Sequence, residues 1–303
     1  MFSGCVVSPT DAYDVGGCSH KPAGTEPCFF ANSPLLSCLR NRKSCFGDDV
    51  TYSVGEALRH RHMYEENRLR PGVPAAGART TYNLWRFAPF ASISWNESVT
   101  GFWQAIDSSA FGYDASLTPV EIDINRSDLL RYYAEINLGD VVGATLKYRY
   151  GRQFLKYESQ YVLSNLGRGN TFRNFEDHKL LWNSGEWAIN AFSMANVNAV
   201  SGGSGFGTTS FDTVDSDRQI HGMYISWSGI DRNKIDLYWL WRDEYNHAIN
   251  RQDGSRHSFG ARLADSKPVR ECRNLVGTWN WNIEVALQVG EDNFTVTAPS
   301  GTN

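Results

Sequence analysis

The sequence predicts an all-β fold: an antiparallel transmembrane β-barrel of about twelve strands, either complete at that size or an incomplete larger barrel. Alternation is the first reason. Leu130, Tyr132, Ala134, Ile136 and Leu138 fall on one side of a segment whose other side carries Arg131, Glu135 and Asn137, the period of two that a strand requires. The next segment repeats the rule, with Ala144, Leu146, Tyr148 and Tyr150 opposing Thr145, Lys147 and Arg149. Composition is the second reason. Of 303 residues 20% are charged and 13% aromatic, including 14 Tyr and 10 Trp, yet mean hydropathy is -0.42. No apolar run approaches the roughly eighteen residues of a membrane helix, whereas a barrel strand needs only about ten, half of them polar. Third, short connections (Gly139-Asp140, Ser228 to Asn233) alternate with long ones (Ser108 to Ser127, Ser201 to Asp217), as short turns opposite long outer loops would.

Residues 1–48 read as a separate segment rich in Cys, Gly and Pro. Ser33-Pro34 is a capping residue followed by a first-turn proline, opening a short amphipathic helix over Leu35, Leu36, Cys38 and Leu39 with Arg40, Arg42 and Lys43 towards its end. Five of the six cysteines, Cys5, Cys18, Cys28, Cys38 and Cys45, lie here without a C-x-x-C unit, and Cys272 stands apart. That spacing favours disulfides in an oxidising compartment over zinc. Met1 is followed by neither a basic nor a long apolar stretch, so an exported chain would have its true start upstream.

A barrel domain is expected over 49–292. Its strands fall near Val50–Tyr64, Thr81–Trp95, Val99–Asp107, Asp128–Leu138, Val141–Tyr150, Ser159–Ser164, Phe172–Trp182, Glu186–Val197, Arg218–Trp227, Lys234–Tyr245, His257–Ala264 and Leu275–Val289. Residues 293–303 form a disordered tail by composition. Parity assigns Trp85, Phe87, Ala91, Ile93 and Trp95 to the lipid side, together with Ile235, Leu237, Trp239 and Trp241, and Leu275, Trp279, Trp281, Ile283, Val285 and Leu287. The opposite parity carries Arg59, Arg61, Arg86, Arg131, Lys147, Arg149, Arg242 and Arg262 against Glu135, Asp236, Glu244 and Glu284. A lumen with that bias attracts anions. Glu56 breaks the phase of its strand, and Phe172–Trp182 has no clean phase without a bulge.

Other constellations point to less. Net charge is -4 and no basic run is present, which argues against nucleic acid. Glu121, Asp123, Asn125 and Asp128 alternate oxygen ligands and form a candidate calcium loop, though without the glycine of a tight one. His60-x-His62 places two imidazoles on one strand face with no third ligand. No nucleophile elbow, phosphate loop or dinucleotide fingerprint occurs, and Asp236 and Glu244 are too far apart on one strand to share a bond of substrate, so no enzyme is expected.

Four motifs in order resemble the alginate export family of Gram-negative outer-membrane barrels. They are Glu56-Ala57-Leu58-Arg59-x-Arg61; Arg126-Ser127-Asp128-Leu129-Leu130 with Tyr133; Gly151-Arg152-Gln153-x-Leu155-x-Tyr157; and Arg173-Asn174-Phe175-Glu176-Asp177. The resemblance spans roughly Val50 to Val289. It implies a barrel that passes an anionic polysaccharide through an arginine-rich constriction, with no cofactor, in contact with outer-membrane lipid and periplasmic secretion components. Arg152, of opposite parity to Lys147 and Arg149, joins the substrate path on this resemblance alone. The chain departs from the family in its strand count, its Cys-rich leader and its ending Thr-Ala-Pro-Ser-Gly-Thr-Asn, which lacks a terminal aromatic strand and is the ending expected of a truncated barrel. Two alternatives remain open from the residues: a general porin for small solutes, and a soluble carbohydrate-binding β-protein whose aromatic faces stack on sugars.

Overall fold

The structure, a computed structural model, describes residues 49–66, 79–112, 123–157, 160, 162–198, 211–230, 233–245, 253–271 and 274–293. The 1–48 segment with its expected helix, and the tail beyond Asn293, lie outside the described residues.

Eleven strands form one antiparallel sheet in simple sequential order. They are β1 (Val50–Glu66), β2 (Arg79–Trp95), β3 (Val99–Phe111), β4 (Asn125–Val141), β5 (Ala144–Gln153), β6 (Asn174–Asn183), β7 (Trp187–Asn198), β8 (Thr213–Ile230), β9 (Asn233–Glu244), β10 (Asp253–Glu271) and β11 (Asn274–Asn293). No α-helix occurs among the described residues. Most of these strands exceed the five or six residues usual in globular sheets.

Of the expected strand Ser159–Ser164, Gln160, Val162, Leu163 and Ser164 are described and none lies in a strand, so the count is eleven among the described residues. Local bonds take its place: the Gln160 amide donates to Tyr157 O at 2.9 Å, the Ser164 hydroxyl donates to Gln160 Oε1 at 3.2 Å, and Gln160 has φ of 57°. Ser and Gln side chains that bond so close by compete with a ladder. The β4–β5 turn also moves. Val142 (φ 55°) and Gly143 (φ 73°) make it, three residues beyond the expected Gly139-Asp140.

Contacts group the chain into two units. The first takes the described residues up to Ala134 with those of 152–174 and 197–213; the second takes those of 135–151, 175–196 and from Val214 on. In the first, β1 and β2 pair without a break from Val50↔Trp95 to Glu66↔Arg79. The β2–β3 ladder omits Ala88 and Pro89 and resumes at Phe90↔Gln104 in the same register. Proline has no N–H to give to that ladder. The hairpin between them is a tight turn in which Ser98 N donates to Trp95 O at 2.8 Å, with Asn96 (φ 48°) and Glu97 (φ 56°) both left-handed. Two positive φ values match the twist of the flanking strands.

In the second unit β9 and β10 pair without a break, while β8–β9 shifts register between Trp227 and Ile230 and β10–β11 between Val269 and Arg270; the ladders place Tyr224 opposite Tyr238 and Tyr238 opposite Gly260. The two tyrosine rings stack at 5.7 Å, and the Tyr238 ring lies over Gly260, where an added Cβ would come within 2.0 Å of it. A glycine is required there by close approach.

The sheet distributes its residues inside out. Trp95 is 64% exposed, Trp279 63% and Val285 69%, while Arg86, Arg131, Arg149, Arg152, Arg262 and Asp236 are buried. Trp85, Phe87, Ile93, Leu237 and Leu287 are exposed on the parity expected to face lipid. Leu275 has its backbone in β11, but its side chain lies outside the described residues. Leu130 corrects the parity of β4: it is fully buried against Ile106 and Phe172, next to buried Arg131, because the burial phase slips by one residue between them. Phe172–Trp182 shows the anticipated irregularity. Asn174 and Phe175 are both buried, and Asp177 stands at φ 130°, after which Lys179 is buried in turn.

Candidate functional site

Cations of the inward parity gather in a few places, held by backbone carbonyls, by a neutral amide and aromatic rings, or by carboxylates. On β1 and β2 the ladder sets Arg59 directly opposite Arg86, with Arg61 two residues along the same face. Like charges opposite one another in a sheet repel. Instead of acids, the structure supplies the β5–β6 connection. Arg59 donates through Nη1 to Gly167 O at 3.0 Å and through Nη2 to Gly169 O, and Arg86 Nη1 donates to Gly169 O at 3.3 Å. The Arg86 guanidinium also lies 4.2 Å from the centroid of the Phe172 ring. None of the three arginines has a carboxylate partner among the described residues, and Arg61 Nε is buried with no hydrogen bond.

Arg131, 2% exposed, donates through Nε to Gln104 Oε1 at 2.7 Å and lies over the rings of Phe102 (4.8 Å) and Phe154 (4.3 Å). Arg152 does not share that environment. It donates to Leu129 O and Asp212 O, both at 3.0 Å, and its Nη1 lies 3.8 Å from Asp128 Oδ2. Asp212 in turn accepts from Asn125 Nδ2 at 3.0 Å, and its amide donates to Asp128 Oδ1 at 3.2 Å. Burial pushes the Asp212 carboxyl up, with the hydrogen bond and charge of Asp128 adding to it, towards about 8. Arg152 is thus a tie between the start of β4 and the residue before β8.

In the second unit Glu135 accepts from Lys147 Nζ at 3.2 Å and from Arg149 Nε at 2.8 Å. Lys179, buried, lies within electrostatic reach of Arg149 and Glu135. Farther along, Arg262 Nη1 meets the fully buried Asp236 at 2.5 Å, its Nε donates to Asn282 Oδ1 at 3.0 Å, and Ser226 donates to Asp236 at 2.5 Å. Arg242 pairs with Glu244, which also lies 3.7 Å from Arg218. Glu284 accepts from the Tyr238 hydroxyl at 2.9 Å.

The sequence-derived residues therefore divide. Arg59, Arg61 and Arg86 come together, and so do Glu135, Lys147 and Arg149, and Arg242 with Glu244, while Arg131 and Arg262 have separate partners. Sequence reasoning missed Lys179, whose phase is hidden by the irregularity at Asp177, and Gln104, Asn170 and Asp212, neutral or loop residues that no charge pattern marks. Of the candidate calcium ligands, Glu121 lies outside the described residues, Asp123 offers its backbone oxygen to Asn170 at 2.9 Å, and Asn125 and Asp128 bond to Asp212. Among the described residues no three His, Cys, Asp or Glu side chains converge on a point that could hold a metal.

A family model described as alginate export matches residues 50–300. No curated protein matches the chain.

Proposed function

The chain belongs to the alginate export family, and on that premise we propose that it is an outer-membrane channel whose cationic face lines the path of an anionic, alginate-like polysaccharide. The observation that carries this reading is the inside-out sheet, with tryptophans exposed on one face and arginines buried on the other. A soluble carbohydrate-binding sheet would expose a few aromatics to stack on sugars but bury most of its large apolar side chains in a core, whereas lipid selects an apolar exterior and tolerates a charged interior.

The mechanism is electrostatic. Arg59, Arg61, Arg86, Arg131, Lys147, Arg149, Arg242 and Arg262 lower the barrier for a carboxylate-bearing chain by replacing part of its hydration. Glu135 and Glu244 hold neighbouring cations and keep the field from becoming a trap, since a polymer that binds tightly does not pass. Arg152, held by two backbone carbonyls and lying 3.8 Å from the Asp128 carboxylate, ties together the connections beside the path and joins it on the family resemblance. Outer-membrane lipid covers the aromatic face, and periplasmic secretion components deliver the polymer. The role is transport, with no bond made or broken.

Reversal potentials in planar bilayers test the reading. Under a potassium chloride gradient the channel is expected to prefer chloride, and a uronate oligomer, but not a neutral maltooligosaccharide, is expected to block current. Equal permeability to both ions with no uronate block would overturn it; block by neutral and acidic sugars alike would favour a general porin.

A further inference from the structure

We propose that Asn170 is a positioning residue that sets how much positive charge this channel shows its polymer, by clamping main-chain carbonyls, in place of carboxylates, onto Arg59 and Arg86. The inference rests on the channel reading above and adds a control element that no charge pattern in the sequence marks.

The connection between β5 and β6 is a built structure over residues 164–173. Asn165 O accepts from the Arg173 amide at 2.9 Å and closes the base, Gly169 N donates to Leu166 O at 2.8 Å, and Leu166 takes a left-handed φ of 52°. The Asn165 side chain accepts from Gly167 N at 3.2 Å and the Ser164 hydroxyl accepts from Leu166 N at 3.1 Å, so the tip is shaped by its own polar side chains. Phe172 buries the base of the loop against Ile106 and Leu130.

Asn170 joins this tip to the strands. It is fully buried. Its Nδ2 lies within hydrogen-bond reach of three backbone oxygens, Trp85 O at 2.9 Å, Asp123 O at 2.9 Å and Ser109 O at 3.2 Å, and its own carbonyl accepts from the Ser108 hydroxyl at 2.7 Å. An amide group offers two hydrogens, so the three acceptors share them. Those contacts fix the neighbouring carbonyls of Gly167 and Gly169 against Arg59 and Arg86. The Asn170 Oδ1 itself is 3.4 Å from Arg59 Nη2.

Main-chain carbonyls suit this task better than carboxylates. They satisfy the guanidinium hydrogens and allow two arginines to stand opposite each other, yet they carry no net charge and leave the local field positive. A carboxylate makes the stronger, charge-assisted bond. A passing uronate can therefore outcompete a carbonyl where it could not displace an aspartate.

Asn170→Ala and Asn170→Asp in the full chain, reconstituted in planar bilayers, separate this role from a merely structural one because they should move selectivity in opposite directions. Asn170→Ala loosens the carbonyls and is expected to lower the uronate oligomer concentration that blocks half the current by about tenfold, with a higher chloride preference. Asn170→Asp loses the same Nδ2 donor but places a carboxylate beside Arg59; its charge-assisted bond outweighs the loosened carbonyls, and the variant is expected to weaken block and chloride preference below wild type. If Asn170→Ala fails to assemble, Ser108→Ala, which removes one donor to the Asn170 carbonyl, is expected to shift block in the same direction as Asn170→Ala. Wild-type channels that lack anion preference and uronate block defeat the channel reading itself. Wild-type channels that show both, with block and reversal potential unchanged in the Asn170 variants or in Ser108→Ala, defeat only the proposal for Asn170.

Discussion

Asp236 and Arg262 show what a buried charge demands. Asp236 is fully buried, and its carboxylate is satisfied only while Arg262 and Ser226 stay in place. Arg262→Ala is expected to destabilise the protein by about 3–5 kcal/mol, because it strands a buried anion, whereas Asp236→Asn with Arg262→Gln together should cost less than Arg262→Ala alone. Thermal unfolding in detergent micelles checks both. Asp212 makes a prediction of opposite character. Its raised carboxyl pKa means that the folded protein holds this proton more tightly than the unfolded chain does. The associated stability is complete below the ordinary aspartate value of about 3.9 and fades as pH climbs towards about 8. Hydrogen exchange around residues 211–213 should therefore speed up more between pH 6 and 9 than the intrinsic rate explains, and Asp212→Asn should remove that excess. Neither group's partner could be read from the residues in order. Asp236 was visible as an acid of inward parity, but its partner lies 26 positions away, and Asp212 meets Asp128 across 84.

Hairpins and ladders respond to local geometry. Glu97 holds a left-handed φ of 56° in the β2–β3 turn, a conformation that costs an ordinary L-residue about 1–2 kcal/mol. Glu97→Gly is expected to raise stability by about 1 kcal/mol, read as a higher unfolding temperature. Gly260→Ala should do the reverse by about 1–3 kcal/mol, because the new methyl group displaces the Tyr238 ring and with it the hydroxyl bond to Glu284. Strand existence was easily read here, since Trp85, Phe87, Ile93 and Trp95 share one exposed parity of β2 on either side of the half-buried run from Pro89 to Ser92. Turn position was not. Gly139-Asp140 carries the residues that turns favour, yet pairing runs on to Val141 and the turn falls on Val142-Gly143. Likewise the phase of β6 is hard to read in order, because Asn174 and Phe175 are buried in succession and Asp177 stands in an unusual φ before Lys179 is buried.

For the whole molecule the inside-out sheet carries the consequence that matters most. If lipid meets the exposed face, Trp95 and Trp279 should be quenched by lipids brominated along their acyl chains more strongly than by aqueous iodide. Equal or inverted quenching would place that face in water. The two-sided pattern, the antiparallel succession of strands and the family motifs are properties of short stretches of chain, because side chains alternate with a period of two whatever lies next door. The partners of the charges are not local in this sense. Arg59 is capped by carbonyls 108 and 110 positions away, and Leu130 turned inward because the burial phase of its strand slips. Charge along the chain could announce a cationic face, but which of those cations a carboxylate can reach depends on loops folded back onto the strands, and such bonds exist only once the ladders have brought distant backbone together.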